Sequence, residues 1–374
     1  MNKTQKAILI AVIAIIVGVI LLLCAVHAVG GFVKIAEHGW ELIERYTNDH
    51  PAAVTEDISD QDEAGDAIVR DLEYGDKLQL AEFSSIELNA LACDVDICPA
   101  TDSTFTLGFN GLEVEPAEQG RYLLIYQGGD KEQVTMELQD GVLKIDGGKL
   151  PNVKDWTTLR DVIRGNKRQL TILVPQLWEG DVTVTSMVGD LVLRDSAFGD
   201  VSVRMEAGDL DLKNASFNGK ADIKLLAGDL DLKSAAFDDM ALDLTFGDLD
   251  VENAAGTSLS VNSAAGDLDI INVACDKLEL GLNAGELDME DVACDKLKVK
   301  IDAGDFEFRA LEVHEADIYC RLGNVSGTLK GSSSDYDVDC RVRMGESSVS
   351  DPGTGDHPVK VEVDMGSIDI DYRK

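Results

Sequence analysis

Hydrophobic and polar positions follow three regimes along the chain. The first is Ala7–Val29, AILIAVIAIIVGVILLLCAVHAV, an apolar run interrupted only by His27. About 20 such residues cross a bilayer as a helix that satisfies its own backbone hydrogen bonds, so residues 7–29 are predicted to be a transmembrane helix. Lys3 and Lys6 precede the run, whereas the charges that follow it are mixed and mostly acidic: Lys34, Glu37, Glu41, Glu44, Arg45 and Asp49. The positive-inside rule therefore leaves residues 1–6 cytoplasmic and places everything after residue 30 outside. A cleaved signal peptide would use Val26 and Ala28 at its cleavage site, but the run exceeds the ~7–15 residues of a signal core, which favours a retained anchor. Cys24 follows Leu23, not the small residue that lipoprotein processing needs.

The second regime, residues 30–82, has helical spacing at Phe32, Ile35, Leu42, Ile43 and Tyr46, then an acidic, weakly patterned stretch from Ala52 to Asp76. It reads as a juxtamembrane helix followed by a solvated linker.

From Phe83 onward apolar and polar residues alternate, the period of strands. Near Asp181 the alternation becomes a repeat. Gly-Asp-Leu recurs at Gly189, Gly208, Gly228, Gly247 and Gly266, then as Gly285-Glu-Leu, Gly304-Asp-Phe and Gly323-Asn-Val, at spacings of 19, 20, 19, 19, 19, 19 and 19, with looser copies at Gly345 and Gly366. A fixed period of this size means stacked supersecondary units. Counted from each glycine, positions +2 and +4 are apolar (Leu210 and Leu212; Leu268 and Ile270), as are positions −7, −5 and −3 (Val201, Val203 and Met205; Leu278, Leu280 and Leu282).

Each rung is therefore predicted to hold two short strands with alternate side chains inward, and the apolar or small residue at +9 is a core-packed corner. The glycine marks a bend where a side chain would clash or φ must be positive. The fold class is all-β, a β-solenoid of ~19-residue rungs. Residues 181–374 form the regular rungs, and residues 83–180 form irregular coils that cap their N-terminal side. Ile86, Leu88 and Ala90 already fit the −7, −5 and −3 columns, with Cys93 in place of the glycine and Asp94-Val95-Asp96-Ile97 after it. A short helix or loop is expected at Lys154–Arg164.

An N-terminal anchor, an opening alternating strand, the segment Leu170-Thr-Ile-Leu-Val-Pro175 and ladders of Gly-Asp-Leu/Ile-x-Leu resemble a family of bacterial surface proteins. That family is labelled "putative adhesin" or a β-strand-repeat domain of unknown function. The resemblance spans about residues 83–374 and implies a membrane-anchored β-solenoid of the envelope, in some members tied to envelope-stress responses. It brings no catalytic residues with it.

Charge changes the picture next. Seventy acidic against 33 basic side chains give a net charge of −37, which excludes nucleic-acid binding through a basic groove. Much of that charge is periodic. Position +1 carries Asp190, Asp209, Asp229, Asp248, Asp267, Glu286 and Asp305, and position +3 carries Asp211, Asp231, Asp250, Asp269, Asp288 and Glu307. Two such charges ~5 Å apart repel by about 0.8 kcal/mol in water. The columns are expected to be a solvated, edge-protecting face with diffuse counterions, partly compensated at +5 by Arg194, Lys213, Lys233 and Arg309. Ca²⁺ or Mg²⁺ bridging of adjacent carboxylates is the alternative. The calcium-hand spacing of Asp335, Asp337, Asp339 and Glu346 has Cys340 at the turn-glycine position and fits a solenoid strand instead.

Of seven cysteines, Cys275 and Cys294 share the +9 column inside two copies of Val-Ala-Cys-Asp-Lys-Leu and read as buried small hydrophobes. Cys320 and Cys340 fall in different columns, and Cys93 and Cys98 are poorly spaced for a metal or a disulfide. The five histidines are scattered and without evident carboxylate partners, and no hydrolase, phosphate-binding or dinucleotide motif occurs. No residue is nominated as catalytic, cofactor-binding or metal-ligating.

The sequence thus describes a single-pass cell-membrane protein with an extracytoplasmic C-terminal solenoid. It is expected to act without catalysis as an adhesin-like binding or scaffolding protein, with envelope proteins or surface glycans as partners. A stress-sensing ectodomain that signals through a membrane partner is one alternative. A filament that self-associates through the strand Ser367–Tyr372 at the chain's end is another.

Overall fold

Alternating inward and outward side chains, repeated every rung, coil this chain into a β-solenoid. The computed structural model of the protein describes residues 69–71, 78–79, 83–90, 94–99, 121–127, 135–146, 169–174, 178–349 and 351–373. All of them fall in one compact unit, Ala67–Lys374. The predicted transmembrane helix 7–29, the juxtamembrane helix Phe32–Tyr46 and the segment Lys154–Arg164 lie outside the described residues. Among the described residues every element is a strand, and no helix is long and apolar enough to cross a membrane.

Successive rungs stack in parallel with like columns facing each other. In the first ladder Val182, Val201, Ala221, Met240, Leu259, Leu278, Leu297 and Ala316 are partners in turn. In the second, Leu191, Leu210, Leu230, Leu249, Leu268, Leu287, Phe306 and Val325 are partners. Both columns are buried in a single hydrophobic core.

The expected two strands per rung are corrected to three. Phe198, Phe217, Phe237, Gly256, Cys275, Cys294 and Val313 pair in register as a third, shorter ladder. Position +9 is thus not a corner but the inward end of a strand, and Ala215, Ala235, Ala254, Val273 and Val292 at +7 are buried beside it. The corner that makes this ladder lies at +6, where Asp195, Asn214, Ser234, Asn253, Asn272 and Asp291 all have φ between 50° and 57°. Asn and Asp tolerate this left-handed conformation best among residues with a side chain. Asn214 and Asn272 also donate side-chain hydrogen bonds to Asp195 and Asn253 one rung earlier, at 3.1 and 2.6 Å. The single 20-residue rung absorbs its extra residue between Phe217 and Lys220, where the pairing slips.

At the other corner Gly247 represents its column. Its φ is 136°, and a Cβ there would run into the carbonyl of Gly228 one rung earlier. Position and conformation therefore both require glycine.

Both ends of the stack depart from chain order. Strands Val142–Asp146 and Gln169–Val174 lie outside the rung of Ser85–Ala90 and Asp94–Pro99, although they follow it in sequence. Antiparallel strands Thr135–Gln139 and Arg121–Gln127 flank them in turn. At the far end His357–Arg373 is inserted between Phe306–Leu322 and Tyr336–Val349, pairing with both. The last strand in sequence is therefore interior, and Tyr336–Val349 is outermost. Its edge is partly covered by the following loop, in which Val338 N–H donates to the Pro352 carbonyl at 2.8 Å and Gly355 N–H to the Tyr336 carbonyl at 2.8 Å.

Replacing Gly247 with alanine is expected to cost at least about 2 kcal/mol, because a strained φ alone costs ~1–3 kcal/mol before the clash is counted. Gly281→Ala, on the outward side of the first ladder where a Cβ would meet the movable Asn262 carboxamide at 3.0 Å and the Val261 carbonyl at an ordinary 3.7 Å, is expected to stay within about 0.5 kcal/mol. Urea unfolding of the two variants checks the pair, and comparable losses would refute the assigned role of the glycine corner.

Candidate functional site

A continuous strip of the surface runs on either side of the glycine corner. On one side stands the +1 column. Its carboxylates do structural work: Asp209 N–H donates to Asp190 Oδ1 (3.1 Å), Asp229 N–H to Asp209 (3.0 Å), Asp248 N–H to Asp229 (2.9 Å), Asp267 N–H to Asp248 (2.8 Å) and Glu286 N–H to Asp267 (2.8 Å). The backbone amide after each glycine lies outside the ladders, and the aspartate one rung earlier accepts it. The series then skips once. Glu286, one methylene longer, makes no such bond to the amide of Asp305, and the pattern resumes with Asn324 N–H to Asp305 at 2.7 Å.

The +3 column sits across a trough of about 600 Å³ from the +1 column. It is neutralised most closely at its two ends, by Lys213 on Asp211 (2.8 Å), Lys233 on Asp231 (3.1 Å) and Arg309 on Glu307 (2.7 Å), and Lys233 reaches Asp250 only at 4.0 Å. In the middle rungs position +5 holds Glu252, Ile271 and Glu290, so Asp250, Asp269 and Asp288 face one another with little compensation. Partial burial holds all three above the ordinary carboxylate range. The next contribution comes from Asp231 at Asp250, from Asp250 and Asp288 at Asp269, and from Glu307 at Asp288. Among the described residues no group of three or more His, Cys, Asp or Glu side chains is placed to hold a metal ion.

On the other side of the corner runs an apolar line. Six large hydrophobic side chains are exposed among the described residues, and five of them, Val188, Leu226, Phe246, Met344 and Met365, stand at position −1 or −2. Phe246 is 59% exposed and Met344 61%. Between them the −1 position is Ala207, Ala227, Ala265, Ala284, Ala303 and Leu322, the last less exposed than the five. This line was not anticipated from the repeat, because alanine and a few larger residues give the column no conspicuous signature.

Two histidines also gain partners. His314 Nδ1 lies 2.7 Å from Asp295 Oδ1, and its ring packs edge-on against His357 at 4.7 Å. These histidines are far apart in sequence, and it is the insertion of His357–Arg373 beside Phe306–Leu322 that joins them.

Matches to the Toastrack DUF4097 family model span residues 83–270 and 219–374. The chain belongs to this family. The two matches overlap across residues 219–270, as they do when one repeating pattern fits a longer stack. The Toastrack rungs also align with two solved structures. One is a "putative adhesin" from Bacteroides fragilis, 13% identical with a TM-score of 0.31, covering 82% of this chain and 98% of that one. The other is a "putative cell adhesion protein" from Clostridium sporogenes, 9% identical with a TM-score of 0.21, covering 82% and 100%. No curated protein matches the chain.

The raised +3 carboxylates set a sign for pH dependence. An acid that binds its proton more tightly when folded adds stability below its unfolded pKa and loses that stability as pH rises through the folded value. Asp335 and Asp351 work in the opposite direction. Hydrogen bonds, chiefly from the Ser332 backbone and the Ser333 side chain respectively, hold them low, so their contribution disappears only in stronger acid. The thermal midpoint is expected to rise on acidification from pH 7.5 to about 5, toward the ordinary carboxylate value of about 3.9. The Asp250→Asn/Asp269→Asn/Asp288→Asn variant is expected to start higher at pH 7.5, by about 0.5 kcal/mol per site after solvent screening, and to gain less on acidification. Equal pH slopes in the two proteins would contradict the assignment.

Proposed function

We propose that this Toastrack protein is a single-pass membrane protein whose solenoid stands outside the cell membrane and works by binding or scaffolding, without catalysis. The observation that carries this reading is the clustering of Val188, Leu226, Phe246, Met365 and Met344 beside one corner, four of them in the −1 column and Leu226 next to it. Isolated exposed hydrophobics are ordinary on any surface, but an aligned set is a feature of contact surfaces. A line that crosses many rungs suits an extended partner, such as a segment of another envelope protein or a surface glycan. The flat, wide trough beside it offers breadth, not the enclosed, convergent geometry in which proton transfer or nucleophilic attack is arranged.

The molecule's two ends favour a discrete particle over a filament. One ends in antiparallel strands and the other in an edge partly covered by its own loop, so neither end offers an uninterrupted parallel edge to a second copy.

The test is retention of envelope material by the immobilised full-length chain. A Val188→Asp/Phe246→Asp variant with an unchanged melting curve is expected to retain at least tenfold less of whatever protein or glycan the wild type holds. Equal retention by both proteins, or none by either, would count against the apolar line as the contact surface.

A further inference from the structure

The third ladder brings two thiols into register. Cys275 on strand Leu268–Ala284 and Cys294 on strand Ala293–Ala303 are direct partners, flanked by the pairs Ala274–Ala293 and Lys277–Lys296. Both cysteines are free, and both point inward, yet 8% and 7% of their surface stays accessible. The access comes from what surrounds them. Ala255, Ala274 and Ala293 carry only methyl groups at the outward +8 position, and Gly256 carries nothing at the +9 position before Cys275. A slot of about 310 Å³ therefore opens over the two sulfurs, bordered by Asp276 and Asp295.

We propose that Cys275 and Cys294 form a two-coordinate site for a soft monovalent cation, Cu(I) or Ag(I). Geometry decides between this and a disulfide. Partners in a parallel ladder are about 4.8 Å apart, and side chains that project in parallel keep their Cβ atoms at nearly that distance. A disulfide needs Cβ atoms about 3.5–4.5 Å apart, closer than the ladder holds them. A zinc–thiolate bond is about 2.3 Å long, and two opposed bonds of about that length to one ion span about 4.6 Å, close to the ~4.8 Å repeat of the ladder on which the two side chains stand.

Ligand type and number decide which metal. Thiolates select soft ions such as Cu(I). Structural Zn²⁺ takes four ligands; His314 and Glu312 also line the slot, but among the described residues no group of three or more His, Cys, Asp or Glu side chains is placed to hold a metal ion. Binding replaces two thiol protons with one cation and releases both protons to solvent, because a coordinating thiol is deprotonated outright. In the free protein the thiols resist deprotonation. Burial, followed by Asp276, pushes Cys275 up to about 11, and burial, followed by Cys275 and then Asp295, pushes Cys294 up to about 12. At neutral pH the pair therefore resists oxidation and alkylation and stays available to a metal. The proposal is independent of the binding or scaffolding reading.

The full-length chain, reduced and free of oxygen, is titrated with Cu(I) held by bicinchoninate. The wild type is expected to retain one more ion per chain than Cys275→Val/Cys294→Val, and each single variant is expected to lose that same ion. Valine already fills this column at Val313, so the substitutions keep the ladder's packing. X-ray absorption of the loaded wild type is expected to show two sulfur neighbours. Equal retention by the wild type and the double variant, an ion kept by either single variant, or three or more ligands in the absorption spectrum would each overturn the site. A second readout needs no variant: one equivalent of Ag(I) per chain is expected to slow alkylation of Cys275 and Cys294 at least tenfold and that of Cys340 far less, whereas uniform or absent protection counts against the site.

Discussion

Each glycine corner leaves one backbone N–H outside the ladders, and most of this molecule's surface chemistry follows from how that group is satisfied. The next amide after Gly208, Gly228, Gly247 and Gly266 donates to an aspartate carboxylate one rung earlier. A hydrogen bond to a charged group contributes about 1.5–3 kcal/mol. Repulsion between carboxylates ~5 Å apart costs about 0.8 kcal/mol in water. The hydrogen bond wins at each rung but the one that follows Glu286, so a column of negative charge is tolerated as the consequence of a backbone requirement. The acidity of the +1 column is thus structural in origin, and only the +3 column across the trough is left with charge that nothing in the backbone uses.

The parts of the fold legible in the sequence were those that repeat as residue types. Glycine at a fixed spacing marks the corner because no other residue fits against the preceding glycine's carbonyl, and the inward Leu, Val and Ile columns mark the first two ladders because burial tolerates little else. The third ladder was harder to see, since Phe198, Gly256, Cys275 and Val313 share no obvious type. Its signal lay one corner earlier, in the Asn, Asp and Ser at +6 that a left-handed residue favours. The aspartates at +1 were visible as a column but not as acceptors, because that role depends on an amide direction that sequence does not carry. Similarly, the pairing of His314 with His357 follows from a strand inserted out of chain order, which no local pattern reports.

Regular rungs also explain why a surface can be functional here without a pocket. Every outward column runs along the stack, so a small bias in one column becomes a line, as with Val188, Phe246 and Met365. Register likewise converts a repeated hexapeptide, Val-Ala-Cys-Asp-Lys-Leu, into two facing thiols. Ladder spacing, rather than a folded cavity, sets the distances at which such groups meet.

Residue-resolved hydrogen exchange of the native protein tests the corner directly. The amides of Asp209, Asp229, Asp248, Asp267 and Glu286 lie outside the strand ladders, yet they are predicted to exchange about as slowly as the neighbouring strand amides because a carboxylate holds each of them. The amide of Asp305, which follows the glutamate rung, is predicted to exchange much faster and serves as the internal control. Fast exchange throughout the column, or equal protection at Asp305, would contradict the account.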